Sequence, residues 1–182
     1  MPSTAPSTRR IQIVDAARHL LEEQGPEALS MRNVAAAIGI RAPSLYEHVT
    51  DKRALESAII AAALEEQAVA LATAVADSAG GDQLMAIAMA WREWSLAHPH
   101  LYRLIYARDL DRSDPAVAAA EQTAGKPLRG LTGGDVAAAR VIWSFAHGMV
   151  SLELSDRFPP DTEIDVLWRR GLDALRVLLP SS

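Results

Sequence analysis

The segment GIRAPSLYEHV at residues 39–49 concentrates side chains that can hydrogen-bond to phosphate. Tyr46 and His48 supply a hydroxyl and a ring N–H, and Lys52 supplies an ammonium group just beyond the segment. These groups, like the free amides at a helix N-terminus, are suitable donors to phosphate oxygens. The chemistry that they favour is binding to a nucleic-acid backbone.

Other residues of the same region bear on base recognition. Ser44 is a candidate for direct base contact, whereas Glu47 either accepts a hydrogen bond from a cytosine amino group or repels phosphates. Structural alternatives remain, since Tyr46 can be a half-buried core aromatic and single Arg or Lys residues are often solvated charges. The residues predicted to bind DNA are Ser30, Met31, Arg32, Arg41, Ala42, Pro43, Ser44, Tyr46, Glu47, His48 and Lys52.

Two short helices are predicted to position these side chains. Ser30 stands where an N-cap belongs, and the apolar stripe after it ends at Gly39. Pro43 suits the start of the next helix, at about 42–48, on which Leu45 faces inward. Two short helices joined by a turn that contains glycine describe a helix-turn-helix, whose second helix can enter the roughly 12 Å wide major groove of B-DNA.

The rest of the chain also predicts helices. The composition is 49% hydrophobic but only 5% aromatic, so small aliphatic residues carry the apolar share and favour an all-α fold. We expect the Gly-rich segment GKPLRGLTGG to be a loop. About nine helices are predicted, at 9–24, 31–38, 42–48, 51–77, 82–98, 101–107, 115–123, 134–156 and 162–178.

These helices are predicted to form two domains after a flexible arm. Residues 1–8 are rich in Ser, Thr and Pro, as expected of an arm. A small N-terminal domain follows at 9–55, and a larger C-terminal domain occupies 56–182. Thr50 is the expected cap of the long fourth helix, which connects the two domains.

The distribution of charge favours the first third of the chain as the surface that meets a polyanion. The net charge is −5, but residues 1–55 carry +1 and the remaining residues carry −6. The net charge therefore argues against nonspecific nucleic-acid binding by the whole surface.

The sequence does not support a disulfide-bonded, metal-binding, secreted, membrane-spanning or catalytic protein. Cys is absent, which excludes disulfides and thiolate metal sites, and His98 and His100 flank Pro99 without a completing carboxylate cluster. We found no signal peptide and no apolar run long enough to span a membrane, so a cytoplasmic protein is expected. No catalytic or phosphate-loop motif occurs, and we predict no enzyme, no metal and no cofactor.

Residues 25–55, GPEALSMRNVAAAIGIRAPSLYEHVTDKRAL, resemble the DNA-binding segment of the tetracycline-repressor-like (TetR) transcriptional regulators. The resemblance covers about residues 9–56, and two positions depart from it. Arg41 stands where the family often has a Ser or Thr cap, and Val49 replaces a common Phe. The matching positions, in order, are Gly25, Ala35, Gly39, Leu45, Tyr46, His48, Lys52 and Leu55.

The C-terminal part is similar to a TetR subgroup whose effector domain contains a Trp, His and Gly arrangement, here Trp143, His147 and Gly148. The resemblance implies that residues 9–55 bind DNA and that 56–182 bind an effector and dimerise. It also implies a homodimer through the last two long helices, a pseudo-palindromic DNA operator, and release by a small apolar effector.

Three pairs of aromatic residues share helical faces, with core packing as the structural alternative to a ligand cavity. The predicted effector-binding residues are Trp91, Trp94, Tyr102, Tyr106, Trp143 and His147. Two other functions stay open at this point. One is a helical small-molecule-binding protein that does not bind DNA, and the other is a helical enzyme, which would need a convergent acid, base or nucleophile.

Overall fold

The computed structural model describes residues 8–78, 81–107 and 110–180, and these residues are helical without any strand. The all-α prediction is confirmed. Residues 1–7 of the predicted arm lie outside the described residues, and Thr8 begins the first helix. The α-helices are α1 (Thr8–Gln24), α2 (Met31–Ala37), α3 (Ala42–Tyr46), α4 (Lys52–Asp77), α5 (Gln83–Ala97), α6 (Pro99–Tyr106), α7 (Pro115–Ala124), α8 (Lys126–Leu131), α9 (Val136–Leu154) and α10 (Ile164–Leu175), with 3₁₀ turns at Pro26–Ala28 and Arg176–Leu178.

The prediction of a loop at 125–134 is wrong, because α8 lies within it. The glycines fall mainly outside the helix, since Gly133 and Gly134 follow it with φ of 62° and 89°. The Thr132 hydroxyl, in a nearly buried residue, contacts the carbonyl oxygens of Arg129 and Asp135 at 3.2 and 3.0 Å. This residue closes α8 and leads into α9, so the described chain has ten α-helices rather than nine.

The helices divide into two compact units. Unit 1 comprises residues 1–63 and 98–120, and in it α1 packs against α2, the first 3₁₀ turn and α6. Its most deeply buried side chains include Ile13, Leu21, Leu29, Val34, Leu45, Leu55, Ile59 and Leu101. A side-chain hydrogen bond between Glu22 and His98 also joins α1 to the start of α6.

Unit 2 comprises residues 64–97 and 121–182 and is built from α5, α8, α9 and α10. Its core contains the fully buried Trp168, whose indole N–H donates to Glu153 at 2.7 Å. Arg92 of α5 donates to the same carboxylate through Nε and Nη2, at 3.0 and 2.7 Å, and to Asp165 through Nη1 at 2.7 Å. The guanidinium carbon lies 5.7 Å from the Trp168 ring centroid, so one cluster joins three helices.

The long helix α4 supplies residues to both units. By length and composition alone, α4 could cross a membrane. The expectation that no segment is long and apolar enough to span a bilayer is therefore wrong by these two criteria. A core helix of a soluble protein passes the same test, and 44% of the apolar window is buried within the protein. The predicted domain boundary between residues 55 and 56 falls inside this helix and stays a prediction.

Candidate nucleic-acid interface

The entry to α2 is fixed by a side-chain cap. Ser30 has extended backbone, with φ −134° and ψ 150°, and its hydroxyl accepts a hydrogen bond from the Asn33 amide at 3.2 Å. The Asn33 side chain donates in turn to the Ala28 carbonyl at 2.9 Å, which ties α2 to the preceding 3₁₀ turn. The predicted N-cap is confirmed, and it holds Met31 and Arg32 in the first turn of α2.

Gly39 makes the turn between α2 and α3. Its φ is +69°, a left-handed conformation that disfavours residues with a side chain. The Gly39 and Ile40 amides donate back to the carbonyls of Ala36 and Ala35, at 3.1 and 3.0 Å. These bonds satisfy the end of α2 and redirect the chain into α3.

Helix α3 has one buried side and one exposed side. Leu45 is fully buried and Val49, just beyond the helix, is 4% exposed, which anchors this segment in the core of unit 1. Arg41 occupies the N-cap position with no side-chain cap bond, and Pro43 stands in the first turn. The α-helix ends at Tyr46, two residues earlier than predicted, and a turn continues the chain to α4.

The start of α4 lies close in sequence to this exposed side. The Asp51 carboxylate accepts from the Ala54 amide at 2.8 Å, so Asp51 rather than the predicted Thr50 caps α4. Lys52 begins the helix, and its ammonium lies 3.8 Å from the Glu56 carboxylate. The cap lies one residue later than predicted because the Asp51 carboxylate is a better acceptor than the Thr50 hydroxyl, and a negative charge is stabilised at the positive end of the helix dipole.

The predicted DNA-binding residues all belong to unit 1, and most of them are accessible. Tyr46 is 51% exposed, which argues against a core aromatic. The exposed members are Arg32, Arg41, Pro43, Ser44, Tyr46, Glu47 and Lys52, and the half-buried members are Ser30, Met31, Ala42 and His48.

Three of the predicted effector-binding residues meet in unit 2. The His147 ring stacks on Trp143, with ring centroids 5.0 Å apart and an interplanar angle of 19°, and lies 6.2 Å from Trp91. Trp91 is buried, whereas Trp143 is 41% exposed. Burial lowers the pKa of the His147 imidazole below its ordinary value, which favours the neutral ring.

The other three predicted effector-binding residues have different surroundings. Trp94, also in unit 2, is buried and donates its indole N–H to Glu66 at 2.8 Å. Tyr102 and Tyr106 belong to unit 1, where their ring centroids lie 5.0 Å apart. Burial raises the pKa of the Tyr102 phenol. The six residues therefore do not form one cluster within a single unit.

The sequence analysis did not identify two arginines that pair with acidic residues far along the chain. Arg53 is highly exposed and pairs with Asp111, and the only local signal for it was its position next to Lys52, a predicted phosphate donor. No local pattern relates Arg92 to Glu153, which lies 61 positions along the chain.

A capped helix, a left-handed turn and a second helix with an exposed polar side define a helix-turn-helix DNA-binding protein. Residues 13–59 match the family model described as "Bacterial regulatory proteins, tetR family". Residues 84–175 match the family model described as "Tetracyclin repressor-like, C-terminal domain". The chain belongs to the TetR family of transcriptional regulators. Membership of the Trp, His and Gly subgroup stays a prediction.

Two relatives of this chain are named as transcriptional regulators or repressors, in agreement with this assignment. The chain is 30% identical over 153 residues to Rv0681 of Mycobacterium tuberculosis, an uncharacterised HTH-type transcriptional regulator, and the match covers 80% of this chain and 70% of that protein. It is 46% identical over 50 residues to the class D tetracycline repressor protein of Escherichia coli, which is 28% of this chain and 23% of that protein.

Solved structures show the same architecture. A protein of unknown function from Rhodococcus sp. RHA1 superposes with a TM-score of 0.78 at 21% identity, over 100% of both chains, which shows the fold alone. The multidrug binding protein EbrR, complexed with ethidium, superposes with a TM-score of 0.73 at 25% identity, over 95% of this chain and 99% of that chain.

Proposed function

We propose that this regulator is a repressor that binds a pseudo-palindromic operator as a homodimer and leaves it when a small apolar effector binds. The observation that supports operator binding most directly is the exposed polar side of α3, opposite the fully buried Leu45. A recognition helix needs this arrangement, because one side must hold it to the core while the other enters the groove.

The contacts divide by chemistry. Tyr46, His48 and Lys52, with the N-terminal amides of α2, bind phosphates and fix the position of the head on the duplex. Five residues of α3 and its two caps approach base edges in the major groove, namely Arg41, Ala42, Pro43, Ser44 and Glu47. The remaining members of the interface are Ser30, Met31 and Arg32 at the start of α2.

Dimerisation is proposed through α9 and α10. Val141 and Leu152 are 48% and 42% exposed, and their spacing puts them on nearly the same face of α9. Gly148 lies on that face between them, and a Cβ added there would meet nothing within 4 Å. An accessible apolar face with a small residue at its centre allows close approach of a second helix, and Leu167 of α10 is also exposed.

The effector is proposed to contact the cluster of Trp91, Trp143 and His147 in unit 2. Its aromatic surfaces suit a flat apolar molecule, and the neutral imidazole offers one hydrogen bond. EbrR, which shares the fold, is described with ethidium, a planar aromatic compound. Trp94, Tyr102 and Tyr106 stay predictions as further effector contacts.

Release of DNA is proposed to be allosteric, with effector binding favouring a separation of the two recognition helices that does not fit adjacent major grooves. Helix α4 is the proposed lever, since its residues belong to both units. We propose residues 9–55 as the DNA-binding domain and 56–182 as the effector and dimerisation domain. Like other DNA-binding regulators of its family, the protein would act in the cytoplasm, without enzymatic activity.

Selection of duplexes from a randomised pool, read by sequencing, tests this proposal. We expect enrichment of inverted half-sites whose centres are roughly 34 to 36 Å apart, about one helical turn of DNA. Enrichment of a single half-site would contradict the homodimer, and a pool that stays random at low salt would contradict operator binding.

A further inference from the structure

Arg53 lies in the first turn of α4, next to Lys52, but outside the set of residues assigned to the DNA interface above. Its side chain is 77% exposed, so a partner from solution can reach the guanidinium. Nη2 lies 3.0 Å from Oδ2 of Asp111, in the segment between α6 and α7. Both residues belong to unit 1.

The Asp111 carboxylate is held in place for this contact. Its Oδ1 accepts from the amide and the hydroxyl of Ser113, at 3.2 and 2.5 Å, which leaves Oδ2 directed at Arg53. The Ser113 hydroxyl, together with the Ser113 amide and Arg53, lowers the pKa of the Asp111 carboxyl group. The group is therefore an anion at neutral pH, and two oxygens around one centre resemble part of a phosphate.

We propose that Arg53 is a further phosphate-binding residue of the operator interface, and that Asp111 occupies its guanidinium whenever DNA is absent. This inference rests on the proposed operator contacts of Tyr46, His48 and Lys52. A guanidinium binds carboxylate and phosphate oxygens with the same planar set of donors, so the two anions compete for it.

The competition between Asp111 and DNA should lower the affinity for the operator. The Arg53 side chain of the pair is exposed, so solvent screens the ion pair and DNA can displace the carboxylate. Asp111 then lowers operator affinity by the strength of one surface ion pair, which corresponds to about two- to five-fold in the dissociation constant. Because Asp111 lies outside the helix-turn-helix, any displacement of its carboxylate from Arg53 changes DNA affinity through a single side chain.

The test uses the full-length chain and a labelled duplex that the wild-type protein selects from randomised DNA. Binding is measured by fluorescence anisotropy over a salt series for R53Q, R53K, D111N and the double variant R53Q/D111N. The side-chain amide of the D111N variant retains an oxygen that can accept from Ser113, so the turn is preserved. E23Q is the matched charge control, because Glu23 is an exposed carboxylate of unit 1 that pairs with His19 at 3.0 Å.

We expect R53Q to reduce the salt slope by about 0.9 per subunit and R53K to restore it. We expect D111N to tighten binding by about two- to five-fold, E23Q to leave it nearly unchanged, and D111N to have no effect in the R53Q background. An unchanged slope for R53Q, or an equal gain from D111N with and without Arg53, would overturn the inference while the proposed function stands. A wild-type chain that selects no duplex would overturn both.

Discussion

At the scale of single residues, the side chains around α3 divide into those that hold the helix and those that can reach DNA. Leu45 and Val49 belong to the first group, and the inward direction of Leu45 was identified from the sequence because apolar spacing is a local signal. Tyr46 and Ser44 belong to the second group and are exposed. The pairing of Arg53 with Asp111 could not be predicted, because it depends on how two distant segments pack.

Tyr46 and Lys52 are expected to bind phosphate without reading sequence. Tyr46→Phe and Lys52→Ala should therefore weaken binding to every duplex and lower the salt slope by about 0.9 for each lost contact. Anisotropy titrations at several salt concentrations measure this slope. Lys126→Ala, which removes an exposed cation of α8, is the control and should leave the slope unchanged. A normal slope for either variant would remove that residue from the phosphate-binding set.

Ser44 is expected to read one base. Ser44→Ala should relax the preference at a single operator position, at a cost of roughly 1 to 3 kcal/mol for the preferred base. Repeating the duplex selection with the variant and comparing base frequencies position by position provides the measurement. A uniform loss of affinity for all sequences would show that Ser44 contacts the backbone instead.

His147 should make the stability of the protein sensitive to acid. Its pKa is lowered by burial in the folded protein, so the unfolded chain binds the proton more readily. The free energy of unfolding should therefore fall as the pH drops below about 6.5, the ordinary histidine value. Urea unfolding of wild-type protein and His147→Gln across this range tests the effect, and the variant should lose less stability. Parallel losses in the two proteins would mean that other groups are responsible.

At the scale of elements, helix ends were predicted well where a local signal exists. The Ser30 cap and the Gly39 stop are such signals, and the structure has both. The α8 helix was missed because glycine density in the sequence does not tell which glycines lie inside a helix. The cap of α4 was assigned one residue too early for a related reason, since Thr50 and Asp51 are both good capping residues.

Gly39 should be needed for its backbone conformation alone. A Cβ there would meet nothing within 4 Å, but the φ of +69° disfavours alanine. We expect Gly39→Ala to lower the free energy of unfolding by roughly 1 to 2 kcal/mol and Gly39→Asn to lower it less, because asparagine tolerates this region better. Urea unfolding measures both. Gly130→Ala in α8, where the added Cβ also meets nothing, is the control that should not destabilise. Equal losses for Ala and Asn at position 39 would contradict the explanation.

At the scale of the whole molecule, the all-α class and the family followed from the sequence, whereas the set of helices that makes up each compact unit did not. Unit 1 takes in α6, which lies far along the chain from α1, and contacts such as Glu22 with His98 define it. Hydrophobic periodicity identifies the face that a helix buries, but it does not identify the helix that covers this face. Long-range pairing therefore had to come from the structure.

The proposed dimer gives a prediction at this scale. Val141→Glu should convert the dimer to monomers, because dimerisation would bury an unpaired carboxylate at a cost of several kcal/mol. Sedimentation velocity measures the association state, and operator affinity should fall with it. Val69→Glu, at a 66% exposed position of α4, is the control and should remain dimeric. A dimeric Val141→Glu variant would place the interface elsewhere.

The cluster around Glu153 constrains every motion that α5, α9 and α10 can make. The Glu153 carboxylate on α9 accepts hydrogen bonds from Arg92 of α5 and from Trp168 of α10. If one of these helices slid past the others, the carboxylate would lose a hydrogen-bond donor while it stayed largely buried, which is energetically costly. We therefore expect α5, α9 and α10 to move together as one body when the protein changes conformation.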